Sequence, residues 1–534
     1  MIGFHIDMNT ARFNKHYLEK WLRELAELGY DTIIWEVEDN ITWETCPECV
    51  SVDAFSKSEF RELVSLCRSL KMEPIPLLQS MAHCEYVLKH DKYKHLAESE
   101  DRIEQYCPRN HDLISFIQKW IDEYIDLFGE IKFFHLGADE TSLLGTCDAC
   151  RNFVQKHSLS ELYVNYVNEI SDYLIKRNIT PIIWADMVLK QPEALPMLSP
   201  KIMLFDWMYG IYRGNGKVWI WGTGLCSAEK IPAKAKKTFG QALFPDGDEP
   251  GRVPETYYSA DFLTENGFKV ITCPGSSSYS DSLFAPRHWL HMKNTFDSFC
   301  KAKSGKIAGF VLTSWTVHLF PWELQTACFD IPSFMENHYD GNIDAYQIFY
   351  SKKRFGIKDT SIFSACGLLS KCCPFSSAAS IGHSKAKLPI SQNFIQAAVR
   401  QLDNNSLAQE IDNCRYRLEE YRDGYKLMCE FSEKATKGYE LLKWWNLAAR
   451  NLINRAEASA FLLKLELASR YQISLQADCY ENGKRILDEL KQLKKETSLM
   501  YDSNLKASCR DEIIGKLFDG MEYAMFQVIK EFKS

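Results

Sequence analysis

The stretch FFHLGADETSLLG, residues 133–145, sets two carboxylates, Asp139 and Glu140, side by side at the end of an apolar run. Neighbouring like charges repel, and each raises the cost of ionising the other. Taken alone, such a dipeptide also fits an ordinary solvated strand–loop junction, so its setting has to decide. Glycoside hydrolysis needs one acid to protonate a leaving oxygen and a second group to steady a cationic centre, and two-acid schemes usually place these about 5 Å apart or further. Adjacent residues fit a different scheme better, in which the substrate's own 2-acetamido oxygen attacks the anomeric carbon. Asp139 would then orient and polarise the amide N–H, while Glu140 serves as acid and then as base.

The elements that must position this pair are legible in the hydrophobic pattern. From residue 1 to about 335, short apolar runs alternate with amphipathic segments, the rhythm of a parallel sheet. Strands are expected at 2–8, 31–39, 73–79, 131–139, 180–187, 201–208, 268–275 and 307–315. Eight strands over roughly 315 residues fit a (β/α)8 TIM barrel with insertions. A doubly wound sheet competes, but no glycine-rich phosphate turn follows the first strand. His135, Gly137 and Asp139 should alternate toward one side of the fourth strand, with Glu140 just beyond.

Polar groups close most of these strands, and in barrels that end is where chemistry is assembled. The first closes on Asp7, the second on Glu36, Glu38 and Asp39, and the third on Gln79 followed by His83 and Glu85. The fifth closes on Trp184 and Asp186, the sixth on Asp206, Trp207 and Tyr209, and the eighth on Trp315. Tryptophans around an acid pair suggest a sugar pocket, although large aromatics also fill cores.

His135-Leu-Gly137-Ala-Asp139-Glu140 resembles the His-x-Gly-x-Asp-Glu signature of glycoside hydrolase family 20, the β-N-acetylhexosaminidases. HIDM at 5–8, EVED at 36–39, AHCEYVLKH at 82–90, WADM at 184–187, FDWMY at 205–209 and LTSW at 312–315 resemble the strand ends of the hexosaminidase D branch, in order. The likeness covers roughly residues 1 to 330. It implies an exo-acting, retaining, substrate-assisted enzyme releasing terminal β-linked GalNAc or GlcNAc, with no cofactor for catalysis. Asp139 and Glu140 would be catalytic. Asp7, His83, Glu85, Trp184, Asp186, Trp207, Tyr209 and Trp315 would contact or border the substrate, and His135 would support an acid from deeper in the barrel. Two departures fall on groups that read sugar hydroxyls. The family's strand 1 arginine is absent, Asn9 following HIDM with Arg12 further on, and Thr316 and Val317 follow Trp315 where a glutamate is usual, leaving Glu323 as a distant substitute. The C4 preference therefore stays open, with the branch leaning toward GalNAc.

Cysteine spacing carries a second signal. Cys46-Pro-Glu-Cys49 and Cys147-Asp-Ala-Cys150 follow the second and fourth strands on the same barrel face and offer four thiolates to a tetrahedral structural zinc. Free thiols or a disulfide are the alternatives. Two other function classes compete with the glycosidase: a metal-dependent barrel hydrolase built on His5, His83, His135 and Asp139, and a sugar-binding protein without turnover.

Composition narrows the field. A net charge of −8 argues against a nucleic-acid surface. No apolar run of about 18 residues suggests a membrane span, and MIGFHIDMNTARF reads as a strand and not as a secretory leader. With 18 cysteines scattered through helical patterns, a reducing, cytoplasmic setting is expected. After the barrel at 1–335, residues 336–392 are rich in Ser, Cys and Ala and read as an irregular connection. Residues 393–534 show helical periodicity and should form an α-helical domain packed on the barrel or on a second copy in a homodimer.

Overall fold

A computed structural model describes all residues except 211–216, 248–251, 337, 339–341, 384–389, 474–477 and 532–534. Eight parallel strands close into a barrel: β1 (Ile2–Asp7), β2 (Thr32–Glu36), β3 (Glu73–Leu77), β4 (Phe133–His135), β5 (Thr180–Trp184), β6 (Met203–Trp207), β7 (Lys269–Cys273) and β8 (Gly309–Ser314). β8 pairs back onto β1, Ile6 opposite Ser314, which closes the ring. The register sets Asp7 beside Glu36, Glu36 beside Leu77 and Leu77 beside His135, so the carboxyl ends of neighbouring strands share one rim.

The strands read as nearly continuous apolar runs because both faces are covered. Alternate residues such as Ile34, Ile75, Ile182, Phe205, Ile271 and Val311 fill the barrel interior. Those between them, such as Phe4, Trp35, Ile183 and Leu312, pack outward on the helices. The helices obey the complementary period: Lys15–Glu27 buries Tyr17, Leu18, Trp21, Leu22 and Leu25 on one stripe. Ser56 and Glu59 form a reciprocal capping box that starts Lys57–Ser69.

Three features differ from the sequence expectation. β4 ends at His135, because Gly137, Ala138 and Glu140 have φ of 64°, 67° and 48° and turn the chain out of strand geometry. The alternation expected through Asp139 is therefore broken. An antiparallel hairpin, Lys217–Ile220 with Gly224–Ser227, is inserted between β6 and β7. Finally, the stretch 336–392, expected to be irregular, holds helices Ile343–Phe355 and Ser361–Leu369, while part of it lies outside the described residues. Helix Ser361–Leu369 packs closely on helix Asn404–Lys434, where a Cβ on Gly424 would come within 3.1–3.2 Å of Leu369, Ala365 and Leu368.

Long helices Asn404–Lys434, Tyr439–Arg470, Asp478–Tyr501 and Ala507–Glu531 build the C-terminal region. It docks on the barrel through the segments that follow β1 and β8. Asn14 N donates to Asn504 O at 2.9 Å, Lys506 N to Arg12 O at 2.8 Å, and Tyr501 Oη to Leu319 O. No helix among the described residues is long and apolar enough to cross a membrane.

Candidate active site

The turn after β4 shapes the acid pair. Gly137 is required there, since a Cβ would lie 2.1 Å from Gln79 Oε1 and its φ of +64° disfavours other residues. Beneath it runs a buried polar layer: Gln79 Nε2 donates to Glu36 Oε1 at 2.8 Å, and Glu36 Oε2 meets His5 Nε2 at 2.8 Å. His135 lies in this layer, and burial next to His5 holds it well below the ordinary imidazole pKa, hence neutral. Its Nδ1 accepts from Gly137 N at 3.0 Å. It braces the turn, and is not bonded to an acid as the sequence led one to expect.

Asp139 and Glu140 leave this turn in different environments. Asp139 is buried, with Oδ2 at 3.2 Å from His83 Nε2, while its Oδ1 is enclosed and has no hydrogen-bond partner. An enclosed carboxylate oxygen without a donor is costly unless a ligand supplies one. Glu140 stands at the mouth, its side chain 53% exposed, with Oε2 at 3.4 Å from the same His83 nitrogen. Its backbone N–H donates to Asp186 Oδ2 at 3.1 Å, and Lys190 Nζ donates to that oxygen at 2.7 Å. Burial pushes the Asp186 carboxyl up to about 6, against the pull of Lys190 and with a further push from Asp139.

An open cleft of about 350 Å³ is lined by Asp139, Glu140, Trp207, Tyr209, Tyr279, Trp315 and Val317. Trp207 and Tyr209 stack, with centroids 5.4 Å apart at 23°, and Trp315 Nε1 donates to Tyr209 Oη at 2.7 Å. Trp221, which follows the first strand of the inserted hairpin, props Trp207 edge-on at 4.9 Å. Flat apolar faces with a few convergent polar groups suit a sugar ring.

The sequence reading brings together Asp139, Glu140, His83, Trp207, Tyr209 and Trp315 as the structure does, and it misses Tyr279 and Val317. Four residues expected at the substrate are placed otherwise. Trp184 is wholly buried, packed on His135 at 4.5 Å and Trp315 at 5.9 Å, so it forms the floor beneath the cleft. Asp7 accepts from Asn9 N at 2.7 Å and Thr316 N at 2.8 Å, tying the β1 and β8 loops together. Asp186 carries Glu140, and Glu85 is buried at the start of helix Glu85–Leu88. Neither substitute for the family's sugar-gripping groups reaches the cleft: Arg12 pairs with Glu512 at 3.0 Å, and Glu323 accepts from Tyr17 Oη at 2.9 Å.

Of the histidines considered for a catalytic metal, only His83 joins a ligand-like group, with Asp139 and Glu140. The four-cysteine zinc set is also corrected. Cys46 and Cys49 face each other as a disulfide, while Cys147 and Cys150 meet Cys107 and Glu98, because the long β3 loop folds over the β4 loop.

Hexosaminidase D of Bos taurus is 27% identical over 241 residues, covering 41% of this chain and 69% of that one. Hexosaminidase D of Homo sapiens is 28% identical over 194 residues, covering 35% of this chain and 40% of that one. The chitobiase of Flavobacterium johnsoniae superposes with a TM-score of 0.46 at 14% identity, covering 97% of this chain and 78% of that one. Residues 11–213 match the model of "Glycosyl hydrolase family 20, catalytic domain", a span that takes in His83, both acids, Trp207 and Tyr209. Over that span the chain is similar to the catalytic domain of glycosyl hydrolase family 20, which supports a glycoside hydrolase.

Proposed function

We propose that this protein is an exo-β-N-acetylhexosaminidase acting on glycans or glycoconjugates with terminal β-linked GalNAc or GlcNAc, by substrate assistance and with retention. The observation that carries the reading is the asymmetry of the acid pair: Asp139 offers an enclosed oxygen without a donor, and Glu140 is solvated at the rim. In the first step the acetamido oxygen attacks the anomeric carbon while Glu140 gives its proton to the departing glycosidic oxygen. Asp139 accepts the amide N–H through Oδ1 and offsets the positive charge that develops on the oxazolinium ring. In the second step Glu140 removes a proton from water as it adds to the same carbon, and the acetamido group is restored. His83 Nε2 lies within reach of both carboxylates, 3.2 Å from Asp139 Oδ2 and 3.4 Å from Glu140 Oε2. Trp207, Tyr209 and Trp315 hold the ring, and Tyr209 Oη is available to the acetamido oxygen.

A screen of aryl β-GlcNAc, β-GalNAc and unacetylated β-glycosides tests reaction class and C4 preference together. Turnover confined to the acetylated pair, with the β-anomer appearing first by proton NMR, is expected. First release of the α-anomer, or equal rates on unacetylated sugars, would rule out substrate assistance. A metallohydrolase reading is favoured only by the His83, Asp139 and Glu140 grouping, and activity that survives prolonged chelation removes it.

A further inference from the structure

The β3 and β4 loops meet at a second cluster that the hydrolytic chemistry does not use. Glu98 and Cys107 come from the β3 loop, and Cys147 and Cys150 from the turn that opens helix Asp148–Val154. One ligand atom from each lies within 4.8 Å of all the others. Cys107 Sγ is 3.5 Å from Cys147 Sγ and 3.6 Å from Cys150 Sγ, and Cys150 Sγ is 3.3 Å from Glu98 Oε2. A disulfide holds its sulfurs at about 2.05 Å, so these thiols are gathered without being bonded. A tetrahedral ion with metal–sulfur bonds of about 2.3 Å and a metal–oxygen bond of about 2.0–2.2 Å has edges of about 3.8 Å between sulfurs and about 3.5 Å between sulfur and oxygen. The observed spacings are close to those edges.

The hydrogen bonds point the same way. Glu98 is 1% exposed, and its Oε1 accepts from Thr146 N at 2.9 Å and Cys147 N at 3.1 Å, which leaves Oε2 turned toward the sulfurs. Those partners are neutral, and a buried carboxylate beside thiols calls for a cation. Cys147 Sγ accepts from Cys150 N at 3.3 Å, so the turn is arranged around a sulfur acting as acceptor, as a metal-bound thiolate does. Three thiolates exclude Ca²⁺ and Mg²⁺, which take oxygen ligands, and a tetrahedral, sulfur-rich set suits zinc.

We propose that Glu98, Cys107, Cys147 and Cys150 bind one structural zinc ion. All four positions are filled by protein, so no site remains for water or substrate. The ion would clamp the loop that bears His83 to the loop that bears Glu140. This inference does not depend on the glycosidase reading, and its readout is metal content.

The test uses the full chain, expressed with added zinc and purified without chelator. About one zinc per chain is expected in wild type and in a Cys46→Ser/Cys49→Ser variant, and less than a tenth in Cys107→Ser and Cys150→Ser. X-ray absorption at the zinc edge should report about three sulfurs near 2.3 Å and one oxygen near 2.0–2.2 Å. Should the cysteine variants fail to fold, wild-type protein stripped of metal and reloaded with cobalt(II) should show thiolate-to-cobalt charge transfer and tetrahedral d–d bands. Wild type with less than a tenth of an equivalent, zinc retained in Cys107→Ser, or cobalt spectra without thiolate bands would each overturn the assignment.

Discussion

The backbone N–H of Glu140 donates to the Asp186 carboxylate at 3.1 Å, so the acid at the mouth is suspended from the loop after β5 and not held by its own strand alone. The bond steadies a residue with φ of 48°, a conformation that costs energy for a side chain of this size. Losing a hydrogen bond to a charged group costs about 1.5–3 kcal/mol, or roughly a 10- to 100-fold change. Asp186→Ala is therefore expected to lower kcat by about that factor with little change in KM. Asp186→Asn keeps an oxygen for the Glu140 N–H and should recover most of the loss. Equal kcat in Ala and Asn variants would show that the bond does not position Glu140.

The two acids should fail differently. On the proposed mechanism Glu140→Gln removes the proton donor, and general acid catalysis contributes about 10²- to 10⁴-fold. That loss should be largest for alkyl glycosides and smallest for aryl glycosides whose leaving groups need little protonation. Asp139→Asn replaces an enclosed acceptor with an amide, so its penalty should follow the substrate's N-acyl group and not the leaving group. Steady-state kinetics across a leaving-group series for both variants separate the roles. Parallel slopes would merge them.

How much of this was legible follows from what each signal encodes. The acid pair, Trp207, Tyr209 and Trp315 were readable because strand ends in a barrel share one rim. The same rule misassigned Asp7 and Asp186, since it names the rim but not the direction of a side chain once the chain leaves the strand. Just after β4 three left-handed residues undo the period-two alternation where it mattered. Tyr279 gave no cue, because it follows a short strand, Gly275–Ser277, that falls outside the eight strand ends read from the apolar pattern. Cys107 carries no C-x-x-C spacing in the sequence and gains its partners only from the fold.

Tyr209 and Trp315 form one unit, since the indole N–H donates to the phenol oxygen at 2.7 Å. Tyr209→Phe leaves that N–H without its acceptor and, on the proposed mechanism, removes a donor to the acetamido oxygen. An unmade hydrogen bond of this kind costs about 1–3 kcal/mol, so kcat/KM should fall roughly 5- to 100-fold. Trp fluorescence should shift as Trp315 loosens. Trp315→Phe should raise KM for acetylated substrates. Unchanged KM in both variants would remove these residues from the sugar wall.

Asp206 offers a test of folding independent of turnover. It is wholly buried outside the cleft lining, with Ser259 Oγ donating to Oδ2 at 2.7 Å, and burial pushes its carboxyl up to about 7 against an ordinary value of 3.8. Between those values the folded chain keeps a proton that the unfolded chain has lost, so stability falls as pH rises, by about 1.4 kcal/mol per pH unit from this group. Below the ordinary value both states are protonated, and above about 7 both are ionised, so the contribution is flat at either end. Asp206→Asn cannot ionise and lacks the slope. The variant's unfolding free energy minus that of wild type should therefore climb from about pH 4 to 7 and then level, reaching several kcal/mol by urea titration. A constant difference at low pH would report the polar partner that the amide fails to find, whereas the slope isolates the proton. A difference that stays flat across the whole range would mean that Asp206 ionises in the folded chain as readily as in water.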